Sequence, residues 1–129
     1  MNFLAIFKKK DSINKDSISY KDKLIEQTFT EDYLFKLECL SQLIGTGSED
    51  ISCEFYHTLS DEEKKEIEPY EGLRIYYIVP QINESIILSY NEVLELMEKY
   101  KIPYLEKNPD KKDEVEKYID DFKKNAKLK

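Results

Sequence analysis

The spacing of hydrophobic residues changes twice along this chain. Tyr33, Leu37, Leu40 and Ile44 recur at intervals of four, three and four, which is one stripe of a 3.6-residue helix. Thr30 is placed to open that helix, with Phe29 and Leu34 as the hydrophobic pair across its cap. Gly45 is placed to stop it in the left-handed conformation. A shorter helix is predicted just before, over residues 20–28. The interval then falls to two. Ile51–Tyr56 alternates as Ile-Ser-Cys-Glu-Phe-Tyr, and Leu73–Val79 and Ser85–Leu88 are β-branched and aromatic. Pro80-Gln81-Ile82-Asn83-Glu84 joins the last two with hairpin length. Gly45-Thr46-Gly47-Ser48 reads as the turn into the first of these strands. Helical spacing returns with Val93, Leu96, Met97, Tyr100 and Tyr104, and again with Val115, Tyr118, Ile119 and Phe122.

Local signals mark where these segments start and stop. Ser60 with Glu63, and Ser89 with Glu92, have the spacing of capping boxes, in which side chain and backbone at a helix start satisfy each other's hydrogen bonds. The first opens a short acidic helix ending before Pro69; the second has Leu88 and Val93 as its flanking apolar pair. Pro103 should kink or end its helix, because it removes an amide donor and crowds the preceding turn. Asn108-Pro109 reads as a cap followed by the proline favoured at a first helical position. The lysine-rich tail from about residue 123 is expected to fray. The predicted class is α+β, a single domain over residues 1–129. A central antiparallel sheet of about three strands is packed with four to five helices. Ile75, Ile78, Val79, Ile86 and Ile87 are the expected sheet core, under the helices of 30–44 and 90–102.

Charge adds what the pattern cannot. The chain has 129 residues, a net charge of −7 and 36% charged residues. Residues 45–92 hold eleven acids against three bases, while the rest nearly balances. Such a field attracts positive partners and repels nucleic acid. The basic residues of 111–129 are interleaved with acids, unlike a nucleic-acid footprint. Ten tyrosines and no tryptophan suit core rims and protein interfaces, where the ring packs and the hydroxyl stays wet. An acidic, tyrosine-bearing sheet suits capture of a basic protein; acidity that serves solubility alone is the other reading.

The opening run Met-Asn-Phe-Leu-Ala-Ile-Phe-Lys-Lys-Lys places apolar residues before charge, the reverse of a signal peptide, and is too short to span a membrane. A cytoplasmic protein without membrane association is expected. Cys39 and Cys53 have no metal-ligand spacing and read as buried thiols. The only histidine is His57. Four strand positions from Cys53 cover roughly 13 Å, too far for an easy Cys–His pair. Gly45-Thr46-Gly47 lacks the lysine of a phosphate cradle, and the carboxylates of 61–68 are a solvated helix face. No catalytic residue, metal site or cofactor is expected.

The order of the pieces is more specific than any one of them. Leu43-Ile44-Gly45-Thr46-Gly47 precedes Ser52-Cys53-Glu54-Phe55, then an acidic segment and Glu71-Gly72-Leu73-Arg74-Ile75. Ser85-Ile86-Ile87-Leu88-Ser89-Tyr90-Asn91-Glu92 follows, then a helix with Tyr100 and Tyr104, and Leu105 through Val115 with Asn108-Pro109-Asp110-Lys111 at its centre. Over about residues 30–122 this succession resembles the immunity proteins of contact-dependent growth inhibition that neutralise ribonuclease toxins. The resemblance implies a stoichiometric, one-to-one inhibitor. It would bind the C-terminal nuclease domain of a cognate toxin and cover its RNA-binding cleft. Two departures stand out: the Gly-rich turn is short, and Pro103 interrupts a helix that usually runs on.

Partner-binding candidates follow from charge and position alone: Glu49, Asp50, Glu54, Tyr56, Glu68, Tyr70, Glu71, Tyr76 and Glu84. A ribonuclease must present cations to phosphates, so its blocker should be acidic. Two other classes stay open on the sequence: an acidic adaptor or regulator unrelated to toxins, and a small enzyme built on Cys53 and His57.

Overall fold

A computed structural model describes residues 11–48, 50–78 and 85–128, with side chains from residue 21. Its helices are α1 (Asp11–Thr30), α2 (Tyr33–Ser41), α3 (Asp61–Glu66), α4 (Tyr90–Lys107) and α5 (Lys112–Asn125), with single 3-10 turns at Tyr56–Thr58 and Pro109–Lys111. Its strands are β1 (Thr46–Gly47), β2 (Ile51–Phe55), β3 (Leu73–Tyr77) and β4 (Ser85–Leu88). They pair in chain order, each antiparallel to the next. The α+β class therefore stands, with four strands among the described residues rather than about three. The extra one is the Gly-rich segment expected to be a turn. Thr46 and Gly47 pair with Cys53 and Ser52, and the Ser48 amide donates to the Ile51 carbonyl at 2.8 Å. Gly45 makes this approach possible: a Cβ there would run into the carbonyl of Cys53.

The pleat divides the sheet into two faces. Ile51, Cys53, Phe55, Leu73, Ile75 and Leu88 point one way and are 0–5% exposed, with Ile86 partly buried beside them. The helices cover this side. Leu24 and Phe29 of α1, Leu37 and Leu40 of α2, Val93 and Met97 of α4, and Val115, Ile119 and Phe122 of α5 complete one core. Polar ties align the helix layer: the Tyr33 hydroxyl donates to the Met97 carbonyl at 2.6 Å, and the Asn125 amide to the Ser41 carbonyl at 2.6 Å. Of the isoleucines expected in the sheet core, Ile78 and Ile87 are instead 49% and 51% exposed. The register sets Ile87 opposite Arg74 and Ile86 opposite Ile75, so alternate residues of an all-apolar run must face outward. Val79 lies outside the described residues, as does the 80–84 connection.

Helix ends follow the local signals in part. Both capping boxes form: Ser60 and Glu63 exchange bonds of 3.0 and 3.2 Å, Ser89 and Glu92 bonds of 2.9 and 3.1 Å. The break before α2 is elsewhere. The helix predicted over 20–28 spans Asp11–Thr30, and Asp32, left-handed at φ 50° and without a side-chain cap bond, starts α2 in place of Thr30. Phe29 packs flat on Tyr100, ring centres 6.1 Å apart, rather than acting as half of a cap contact. At the other end of α2 the left-handed residue is Leu43 (φ 56°), not Gly45. Its amide and that of Ile44 return to the carbonyls of Leu40 and Cys39 at 2.9 and 3.0 Å, the paired closure usual for a glycine. Ile44, past that stop, is 46% exposed and leaves the predicted stripe. Pro103 does not end α4; Tyr104 stacks on Tyr33 at 4.9 Å, and Asn108 caps backward, its side chain donating to the Tyr104 carbonyl at 3.0 Å. The tail is helical to Asn125, and the Leu128 amide returns to the Lys123 carbonyl at 2.8 Å.

Truncating Ile75, fully buried, to Ala should cost about 2–5 kcal/mol in urea unfolding. The same change at half-exposed Ile87 should cost at most about 1 kcal/mol, the span of strand propensity. Equal costs would show that the register is wrong. Burial also pushes the Cys53 thiol up to about 11, with Lys36 and a Thr28 hydrogen bond pulling the other way. The neutral thiol is thus favoured in the fold, and its contribution to stability is present below the ordinary thiol range and lost as pH rises from about 9 through about 11. The urea midpoint should fall across that window, and Cys53→Ala should flatten the fall.

Candidate functional site

The outward face of the sheet carries a small polar network at its centre. Glu54 on β2 and Arg74 on β3 are direct cross-strand partners, and their side chains meet at 3.1 Å, Arg74 donating to Glu54 Oε1. The pair is 16% (Glu54) and 26% (Arg74) exposed. With both groups largely shielded from water, the cost of desolvation offsets much of their attraction, so the pair matters more for fixing geometry than for stability. Arg74 also stacks its guanidinium 4.3 Å from the ring centre of Tyr76, two residues along on the same face. Burial raises the Tyr76 phenol, and hydrogen bonding with Ser52 and Glu54 shifts it in opposite senses. Arg74, Tyr76, Glu54 and Ser52 thus hold one another in place.

At the end of the hairpin where β2 stops and β3 begins, two tyrosines extend this surface. The Tyr70 hydroxyl donates to the Glu54 backbone carbonyl at 3.0 Å, and Tyr56 meets Tyr70 edge-on at 5.6 Å. Lys64 of α3 sits 5.5 Å over the Tyr56 ring. The Tyr70 phenol is pushed up to about 12, first by burial and then by the Glu54 charge. Glu68 and Glu71 are exposed in the connection from α3 to β3. Gly72 anchors that connection to the start of α4: it adopts φ 113°, and a Cβ there would run into the Leu88 carbonyl. At the opposite end of the sheet Asp50 is exposed. Its backbone carbonyl accepts from the Ile78 amide at 2.8 Å.

Of the nine candidate residues, then, Glu54, Tyr56, Tyr70 and Tyr76 come together in one continuous contact. Glu68 and Glu71 lie just beyond one end of the face and Asp50 at the other. Glu49 and Glu84 fall outside the described residues. Arg74 was missed because a search for acids and tyrosines excludes bases. Yet the alternation Leu73-Arg74-Ile75-Tyr76 already puts Arg74 and Tyr76 on the same side.

A depression of about 370 Å³ beside the network is lined by Ile44, Gly45, Gly47, Ser52, Glu54 and Glu63 among others and is open to solvent. It lacks the enclosure of a small-molecule site. Cys53 points into the core while His57 is exposed and stacks on Phe55 at 5.9 Å, so the two do not form a catalytic pair. Among the described residues no group of three or more His, Cys, Asp and Glu side chains could hold a metal ion. No helix among them is long and apolar enough to cross a membrane.

No curated protein matches the chain. A family model described as CDI immunity protein matches residues 20–119. That span runs from the second half of α1, through the described sheet, and into α5 as far as Ile119. On that match the protein belongs to the family of CDI immunity proteins.

Proposed function

We propose that this immunity protein binds one copy of a cognate toxin and neutralises it by covering the basic, RNA-binding cleft of a C-terminal ribonuclease domain. It does so in the cytoplasm and without catalysis of its own. The observation that carries the ribonuclease reading is the concentration of eleven acids against three bases in residues 45–92, which includes the sheet of a CDI immunity protein. A nuclease cleft has to attract phosphates, and a surface that imitates phosphate charge competes for the same cations. The exposed members of that stretch are placed to act at long range: Asp50 at one end of the open face, Glu68 and Glu71 at the other.

Exposed charges at the edge of an interface act mainly on the rate of association and are screened by salt, with a screening length of about 8 Å at physiological ionic strength. Combined Asp50→Asn, Glu68→Gln and Glu71→Gln should therefore slow association with the nuclease domain of the cognate toxin, measured by stopped flow, and leave dissociation nearly unchanged. Raising salt should shrink the difference from wild type. A rate constant and salt slope identical to wild type would mean that the toxin does not meet this charge. In cells expressing the toxin, Cys53→Ala with His57→Ala should leave protection intact, provided the double variant unfolds cooperatively. Loss of protection by a folded double variant would revive an enzymatic reading.

A further inference from the structure

The geometry points to the open face of the sheet, centred on Arg74 and Tyr76 and flanked by Ile78 and Ile87, as the centre of the toxin-docking surface, with the acids forming only its rim. This inference rests on the toxin-binding reading and specifies where the basic nuclease domain sits.

Three observations support it. The first is composition out of place. A sheet face turned away from its helices normally alternates to polar residues, yet here Ile78 and Ile87 are about half exposed, at 49% and 51%, alongside Tyr76. Large apolar side chains left in water around an aromatic residue on one face mark contact sites. The second is preorganisation. Arg74 is already held by Glu54 at 3.1 Å and by the Tyr76 ring at 4.3 Å, so docking would freeze few additional side-chain rotamers there. Tyr and Arg in such fixed settings are the residue types that dominate interface energetics. The third is the distribution of charge. Glu54 and Arg74 cancel at the centre, while exposed Asp50 and the Glu68–Glu71 connection lie beyond opposite ends of the face. A near-neutral centre within a charged rim is the usual anatomy of a protein interface. An acidic rim fits a partner surface whose own rim is basic, as around a phosphate-binding cleft.

The centre and the rim should then separate kinetically. With the full-length protein and the catalytically inactivated nuclease domain of the cognate toxin, Tyr76→Ala should raise Kd about thirtyfold or more, the equivalent of a hot-spot loss. Ile87→Arg should do the same. Both effects should appear in the dissociation rate and persist at high salt. Phe35→Ala and Ile102→Ala, 56% and 62% exposed on the helix layer, should leave Kd within about twofold, as distant surface changes do. Hydroxyl-radical footprinting of the wild-type complex gives a readout free of any folding defect: Tyr76 and Ile87 should become protected and Phe35 and Ile102 should not. Tight binding by wild type with Tyr76 and Ile87 unprotected, or with both variants at wild-type Kd, would overturn the docking face and leave the immunity function standing. Failure of the wild-type protein to bind the toxin domain at all would overturn the functional reading itself, and this inference with it.

Discussion

The pairing register between β2 and β3 is the constraint on which the rest of the molecule depends. Because side chains alternate along a strand, setting Cys53 against Ile75 and Glu54 against Arg74 decides in one step what is core and what is surface. A slip of β2 by one residue along β3 would turn Glu54 into the helix layer and expose Phe55, and a carboxylate buried there away from Arg74 would be strongly destabilising. The neighbours on either side of this pair are fixed by backbone approaches that leave no room for a side chain: Gly45 against Cys53 beside β2, and Gly72 against Leu88 beside β3. The polar network on the open face is thus a by-product of packing the other face.

What was legible in the sequence is what neighbouring residues decide among themselves. Ser60 with Glu63 and Ser89 with Glu92 formed their caps because each box satisfies its own hydrogen bonds within one turn. The stripes on α4 and α5 were readable because one side of each is buried and the other wet. The misreadings share a different origin. Leu43, not Gly45, takes the left-handed stop because Gly45 is needed two residues later in the close passage past Cys53, a contact no local rule contains. The two-residue strand at Thr46–Gly47 exists only because β2 lies beside it. Ile78 and Ile87 looked like core since an apolar run gives no sign of which alternate residue faces out. Pro103 is tolerated within α4 because Tyr104 is anchored on Tyr33 from another helix.

The same distinction runs through the charge. The acids of residues 45–92 are not one population. Glu63 and Glu92 are committed to helix starts, and Glu54 to Arg74, so their carboxylates serve the fold before any partner arrives. Backbone and side-chain hydrogen bonds at Ser60 hold the Glu63 carboxyl below its ordinary range, so it stays ionised at the helix start. Among the described residues, Asp50, Glu68 and Glu71 stay exposed and form no salt bridge, which leaves their charge to project a field. Candidate site residues were therefore legible as a class but not as individuals, because charge can be counted in a sequence while commitment cannot. Tyr56 and Tyr70, fourteen positions apart, become a pair only once α3 folds back between them.

Among the described residues the strands at the two margins of the sheet are short, two residues in β1 and four in β4. Unpaired strand backbone is a template for another copy of the same chain, and its danger grows with length and flatness. An immunity protein has to stand ready unliganded, and this one carries half-exposed Ile78 and Ile87 on the outward side of its sheet. Brief margins limit how far two such sheets could zip together edge to edge, which lets the waiting protein keep a sticky face without polymerising along its sides.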